Sequence, residues 1–301
     1  MTRLSQTRPL WTAIFGVPLL FVAIVSLQVR IDAQTRSEAA ESRELIFRSG
    51  PMMEKLSLGY NSLMADIYWT RAVQYYGTWV GTPHADFPLL WPLLDLATTL
   101  DPKLVVAYRF GAIFLSEPRP VGAGQTDRAI ELIQRGIAAN PDEWRLSTDL
   151  GFLYYWRLKD YPNAAAAYLQ ASQNPNAPPW VKVMAARISA RGGSIENSRA
   201  IWSELYESSQ DVTVRSMAEE QLRSLKAQED ELNLDALANQ YHEKFGRFPA
   251  SSKELRDAGF LAGIPIDPAG FPYVFGPDGK SGLDPASTIV IKPPLPASAT
   301  K

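Results

Sequence analysis

The stretch AIELIQRGIAANPDEWRLSTDLGFLYYWRLKDYPNAAAAYLQA, residues 129–171, decides the fold. Small residues sit at helical spacing beside large ones: Ala129, Ile133 and Gly136, then Gly151 and Tyr154, then Ala164, Tyr168 and Ala171. A small side chain lets a neighbouring helix come close, and a large one fills the gap beside it. Asn140-Pro141 and Asp160-Tyr161-Pro162 punctuate the stretch as helix ends and starts. Working outward, the same alternation of apolar periodicity and punctuation predicts helices over 58–76, 89–100, 104–115, 180–191, 195–208 and 212–227. The stretch itself divides into helices over 129–139, 144–158 and 164–172. No segment before residue 260 alternates apolar and polar residues as a half-buried strand does. The fold class is mainly α.

Helices in pairs, with a proline after every second one, call for an internal period. Gly111, Ala129, Ile133, Gly136 and Pro141 make one unit, and Gly151, Tyr154, Ala164, Tyr168 and Ala171 a second. Leu90, Leu94, Ala97 and Pro102 keep only the end of the pattern, and Ala186 with Ala200 is a degenerate hairpin. In this spacing residues 52–228 resemble tetratricopeptide repeats, a TPR-like α-solenoid of about four hairpins. The alternative is an irregular helical domain, since any hairpin stack uses small residues where helices touch. The resemblance implies a binding groove lined by the first helix of each hairpin, with Tyr108, Arg109, Tyr155 and Arg157 as the groove residues. Tyr154, Tyr155 and Trp156 are consecutive, so at 100° per residue they cannot all point inward. At least one faces water, where tyrosine and tryptophan are favoured interface anchors.

In the 58–76 helix, Leu63, Ile67, Val73 and Tyr76 are the expected core face, widened by Tyr68, Trp69 and Ala72. Gly77 is the expected stop, and Asp66, the one acid there, is expected to pair with Arg71 or a tyrosine hydroxyl.

Composition is globular, 46% hydrophobic and 21% charged, and the net charge of -2 attracts no polyanion. No basic run suggests nucleic acid. Cysteine is absent, which excludes disulfides, a thiolate nucleophile and Cys-ligated metal. Residues 10–29, LWTAIFGVPLLFVAIVSLQV, carry no charge and suffice for a bilayer-spanning helix. Arg3 and Arg8 before it favour a cytoplasmic N-terminus, with the rest of the chain in the periplasm of a bacterial inner membrane. A cleaved signal peptide is the alternative, but Val29-Arg30-Ile31-Asp32-Ala33 is a poor cleavage site. The chain then reads as stub and span over 1–34, linker over 35–51, helical domain over 52–228, a distinct segment over 229–292 and a disordered tail over 293–301.

That last segment contains a helix over 234–244, a turn at 246–249 and a short helix capped by Ser251 or Ser252 with Glu254 in its first turn. Residues 273–275 and 287–292 are expected to pair as strands, making the segment α+β, with turn residues at 276–279. Tyr241, Gly246, Pro249, Pro265, Asp267, Pro268, Gly270, Pro272 and Tyr273 make it resemble the head of a type II secretion major pseudopilin. The N-terminal apolar helix of a pseudopilin, with its glutamate, is missing here. The resemblance would place a calcium site near Asp278 and Asp284, too few carboxylates to hold one.

His84 and His242 are the only histidines, and no phosphate loop, nucleophile elbow or zinc motif is present. His242 is expected to face water. No catalytic residue, cofactor or metal is expected. The function expected is a membrane-anchored scaffold for other envelope proteins. An accessory component of a secretion or type IV pilus-like machine is the second reading, and a structural single-span subunit of a respiratory or photosynthetic complex the third.

Overall fold

Why the apolar runs end where they do is visible in the computed structural model, which describes residues 50–82 and 86–291 and isolated positions between 22 and 30. Most of the expected span, the linker up to residue 49, His84 and the tail at 293–301 lie outside the described residues, while Gly50 and Pro51 of the expected linker are helical. Among the described residues no helix is long and apolar enough to cross a membrane. The chain divides into two units, one of residues 1–79 and 86–101, the other of 80–85 and 102–301.

In the first unit, α1 (Gly50–Leu56), α2 (Asn61–Trp79) and α3 (Leu90–Leu100) pack together. The Leu-rich α3 buries Leu90, Leu93, Leu94, Leu96, Ala97 and Leu100. Helix α2 answers with Ala65, Tyr68 and Ala72, and Phe87 is buried against the Tyr75 and Tyr76 rings. This corrects the expected core face. Leu63, Ile67 and Val73 are exposed, because close approach to bulky α3 selects the stripe with two alanines. Asp66 is exposed, and Arg71 lies over the Tyr68 ring rather than on the carboxylate. The expected 58–76 helix is α2 alone: it starts at Asn61, after a turn at Ser57–Tyr60 that separates it from α1, and continues past Gly77.

The second unit is helical and repeat-like. It runs α4 (Val105–Ser116), α5 (Thr126–Ala139), α6 (Trp144–Phe152) widening into a π turn (Leu153–Leu158), α7 (Tyr161–Ser172), α8 (Trp180–Arg191), α9 (Ile195–Ser208) and α10 (Val212–Phe245). Each helix packs on the next, and α4 also packs on α6. The small residues sit where the sequence places them. A Cβ on Gly136 would lie 2.8 Å from the Tyr108 ring, and one on Gly151 2.7 Å from Tyr168. Ala129, Ala164, Ala171 and Gly111 are buried. In the degenerate hairpin Ala186 is buried but Ala200 is exposed. Ser198 takes the small-residue place, donating its hydroxyl to the Ala186 carbonyl at 2.9 Å.

Helix α10 changes the expected boundary near residue 228. Asp211 caps it by accepting from the Thr213 and Val214 N–H groups, and the helix runs without a break to Gly246, whose φ of +73° suits glycine. Its first half (Ala218, Leu225) joins the hairpin core around Trp202. Its second half (Leu234, Tyr241) joins a separate small core with Leu255 and Tyr273. Around that core lie α11 (Ser252–Asp257) and a hairpin of β1 (Val274–Phe275) and β2 (Ser281–Gly282), with Val274 opposite Gly282 and Phe275 opposite Ser281. The partner strand is therefore 281–282 and not the expected 287–292. The turn at 276–279 is tight enough for its own two flanks to pair, with Gly279 at φ +80°.

Candidate functional site

Three first helices of consecutive hairpins, α4, α6 and α8, share one solvent-exposed face. On α4 it carries Val106, Phe110 and Ile113, and on α6 Arg145, Asp149, Phe152 and Trp156, both at spacings of four and three. On α8 it carries Trp180. Trp156 is 54% exposed, and Phe110, Phe152 and Trp180 nearly as much. The Phe152 and Trp156 rings stack at 6.4 Å, and Trp144 meets Trp180 edge-on at 6.1 Å. Exposed aromatics at this density are a recognised anchor composition for protein interfaces.

Ion pairs stitch the helices beneath this face. Arg109 Nε donates to Asp149 Oδ2 at 2.5 Å, and Arg157 Nη2 to Glu117 Oε2 at 2.7 Å. Both pairs join residues 40 apart, so one hairpin repeats the register of the next. Burial raises the Asp149 carboxyl above its usual range despite the Arg109 hydrogen bond, while that same bond raises the Arg109 guanidinium. A pocket of about 290 Å³ opens above the pair, lined chiefly by Trp144, Arg145, Asp149, Phe152, Tyr168 and Trp180. Lys159 sits over the Trp156 ring at 4.7 Å, and Arg191 donates to the Tyr155 hydroxyl at 3.2 Å. Basic side chains thus lie against aromatic ones at the far end of α6.

The four expected groove residues separate. Arg109 lines the pocket. Arg157 and Tyr155 lie half-buried at the far end of α6, Tyr155 edge-on to Tyr161 at 5.7 Å. Tyr108 is corrected: it is 2% exposed, pressed on Gly136 as a core residue, because the next position around the helix, Arg109, takes the outward side. Phe110, Phe152 and Trp180 were not read as site residues. The signal that finds them is the i, i+3, i+4 recurrence of aromatics on first helices, obscured by equally aromatic core positions.

The pilin-like residues form a turn. Asp267 is buried and accepts from the Ala269 N–H at 2.8 Å, the Phe271 N–H at 2.9 Å and the Ser287 hydroxyl. Burial opposes ionisation, but these donors outweigh it and hold the carboxyl low. Gly270 takes φ +93°, Pro268 offers its carbonyl to Arg223 at 2.8 Å, and Pro272 bridges to Ile266. Tyr273 donates to Asp230 at 3.1 Å, tying the turn to α10. Asp278 and Asp284 accept from the N–H groups of Lys280 and Ala286. His242 is exposed and stacks on Phe248 at 4.3 Å. Among the described residues no group of three acids or histidines could hold a metal.

No family model and no curated protein matches the chain. Among solved structures, the crystal structure of PilW, a widely conserved type IV pilus biogenesis factor, is similar at 16% identity and a TM-score of 0.34, over 66% of this chain and 88% of that one. A superposition that loose assigns neither a fold nor a role.

Proposed function

We propose that the chain is a non-catalytic scaffold with a TPR-like stack of hairpins, held in a bacterial inner membrane by residues 10–29 with its bulk in the periplasm. Its exposed α4–α6–α8 face holds other envelope proteins while a complex assembles. The observation that carries this reading is the set of exposed aromatics on these first helices: Phe152 and Trp180 line a pocket between helices, Trp156 stacks on Phe152, and Phe110 is exposed on α4. A face of this kind is unfavourable in water unless something covers it. Its rings sit on packed helices rather than on loops, so little order is lost on binding. In cells, a photo-crosslinking residue placed at Phe110 or Phe152 should capture the same partner proteins, and one at Gln170, exposed on α7, should not. Capture from Gln170 alone, or from no position, would sink the proposal.

The C-terminal module favours a second reading, an accessory role in a secretion or pilus-like machine, because its Asp267–Tyr273 turn keeps the pseudopilin pattern. Truncation after Gly246 separates the two. Partner recovery that survives truncation but fails with Phe152→Ala supports the face, and the reverse supports the module.

A further inference from the structure

Between α1 and α2 the chain makes a two-residue turn, the Tyr60 N–H bonding the Ser57 carbonyl at 2.8 Å. Leu58 (φ +51°) and Gly59 (φ +91°) are its central residues. Positive φ at both positions suits Asn, Asp or Gly, and a leucine there is strained. Leu58 is also 85% exposed, and beside it stand Tyr60 at 69%, with Met52, Leu56 and Leu63 about half exposed. The turn is firmly held: Met53 and Ser57 are buried, and Gly50 lies so close to Thr99 that a Cβ would come within 2.6 Å. A strained, rigid, apolar apex is thus pushed outward where a polar residue would be easier.

We infer that this apex, Leu56 to Tyr60, is a shallow contact with a lipid bilayer surface. The inference rests on the reading of residues 10–29 as a bilayer span. From the end of that span to Gly50 is 21 residues, which even fully extended reach no more than about 75 Å. The apex is therefore tethered close to a bilayer, where a weak contact gains from high effective concentration. Its shape also selects the occupant. A convex tip enters a fluid interface, whereas a protein partner would need a matching cavity. Aliphatic groups with one tyrosine suit the acyl–headgroup boundary. Glu54 and Lys55, the exposed charges nearest in sequence, cancel, so the contact is apolar and does not depend on anionic lipid.

The chain has no cysteine, so single labels are clean. The full chain would carry an environment-sensitive fluorophore at Leu56→Cys or, as control, at Gln74→Cys, about 20 Å along α2, in phosphatidylcholine vesicles with shallow nitroxide lipids. The expected result is at least twofold quenching at position 56, little at 74, and loss of most of that quenching when Leu58→Asn, which suits the turn, is added. If the chain floats with the vesicles but position 56 is unquenched, the apex contact is wrong and the span stands. If the chain does not float, both fail. A blue shift at 56 without lipid quenching means a protein or a second copy covers the apex, and quenching that ignores Leu58→Asn removes Leu58 from the contact. Either overturns the proposal.

Discussion

The hairpin region and the C-terminal module share helix α10 yet are held together by different physics. The hairpins bury a continuous apolar core, with Trp202 and Val181 fully covered and tyrosines laid over glycines. The module's apolar core is a small cluster around Leu234, Tyr241, Leu255 and Tyr273, and it is fastened by hydrogen bonds to carboxylates. Asp235 accepts from the Ser281 N–H at 2.7 Å and from Lys280 at 2.9 Å, and Glu254 accepts from Arg247 and Tyr241. A small segment cannot stabilise itself by area alone, so directional polar contacts set its shape. The difference predicts which changes each region tolerates.

Trp202→Ala should be the most damaging. It empties a fully enclosed site, where removing a large aromatic costs about 3–5 kcal/mol. A urea melt of the hairpin helices followed by circular dichroism would show it. A loss below about 1 kcal/mol would mean that core is loosely packed.

Gly151→Val should come next, at about 2–3 kcal/mol. In an ordinary exposed helix, replacing glycine by a larger residue is mildly favourable or neutral. Here the new Cβ meets the Tyr168 ring and the Ala164 carbonyl, so the sign reverses. Adding Tyr168→Ala should restore part of the loss if the clash is the cause.

Much of this region was legible because helix packing is local and periodic. The Gly136–Tyr108 and Gly151–Tyr168 contacts follow from small residues spaced one helix apart. What stayed hidden was which side of an aromatic-rich helix faces water. Tyr108 and Phe110 look alike in sequence, and only the position of α5 decides that Tyr108 is covered. The break at Leu58 was hidden because leucine is a poor marker of a left-handed turn. The unbroken α10 was hidden because its middle is polar: two short cores, each covering one end, keep it helical. In the module, the turn at 276–279 was legible from its glycines and proline. The short 281–282 strand was not, since two residues carry no period.

Acid should loosen the module before the hairpins. Arg247 and the Ala250 N–H hold the Glu254 carboxyl down to about 2. Burial works against Asp235, but the Ser281 N–H and Lys280 outweigh it and hold it low as well. A folded carboxyl below its unfolded value of about 4 stabilises fully above that pH, and the contribution fades as pH falls toward about 2. Asp149, raised by burial in the hairpins, has the opposite sign: its contribution is full below the unfolded value and is lost as pH rises. Glu231, raised by burial and by Asp235, offsets part of the module's loss. Amide exchange compared at pH 7 and pH 3 should show protection falling around 251–282 while Ile188 and Leu205 stay protected. Equal loss in both would erase the distinction.

Asp235→Ala should cost about 1–2 kcal/mol, from leaving the Ser281 N–H without its acceptor and Lys280 without its partner, and should leave the hairpin signals unmoved.

The smallest effect should come from replacing an ion pair by apolar groups of similar size. Arg109→Met with Asp149→Leu removes a half-buried pair whose carboxylate already loses more to burial than Arg109 returns. Such exchanges are often neutral or mildly stabilising, so the melt should shift by less than about 1 kcal/mol. The matching exchange in the module, Lys280→Met with Asp235→Leu, leaves the Ser281 N–H without its acceptor and should shift it more. Equal shifts would mean that the hairpins, like the module, depend on their polar contacts, and that the aromatic face is held in place by the Arg109–Asp149 pair rather than by the core beneath it.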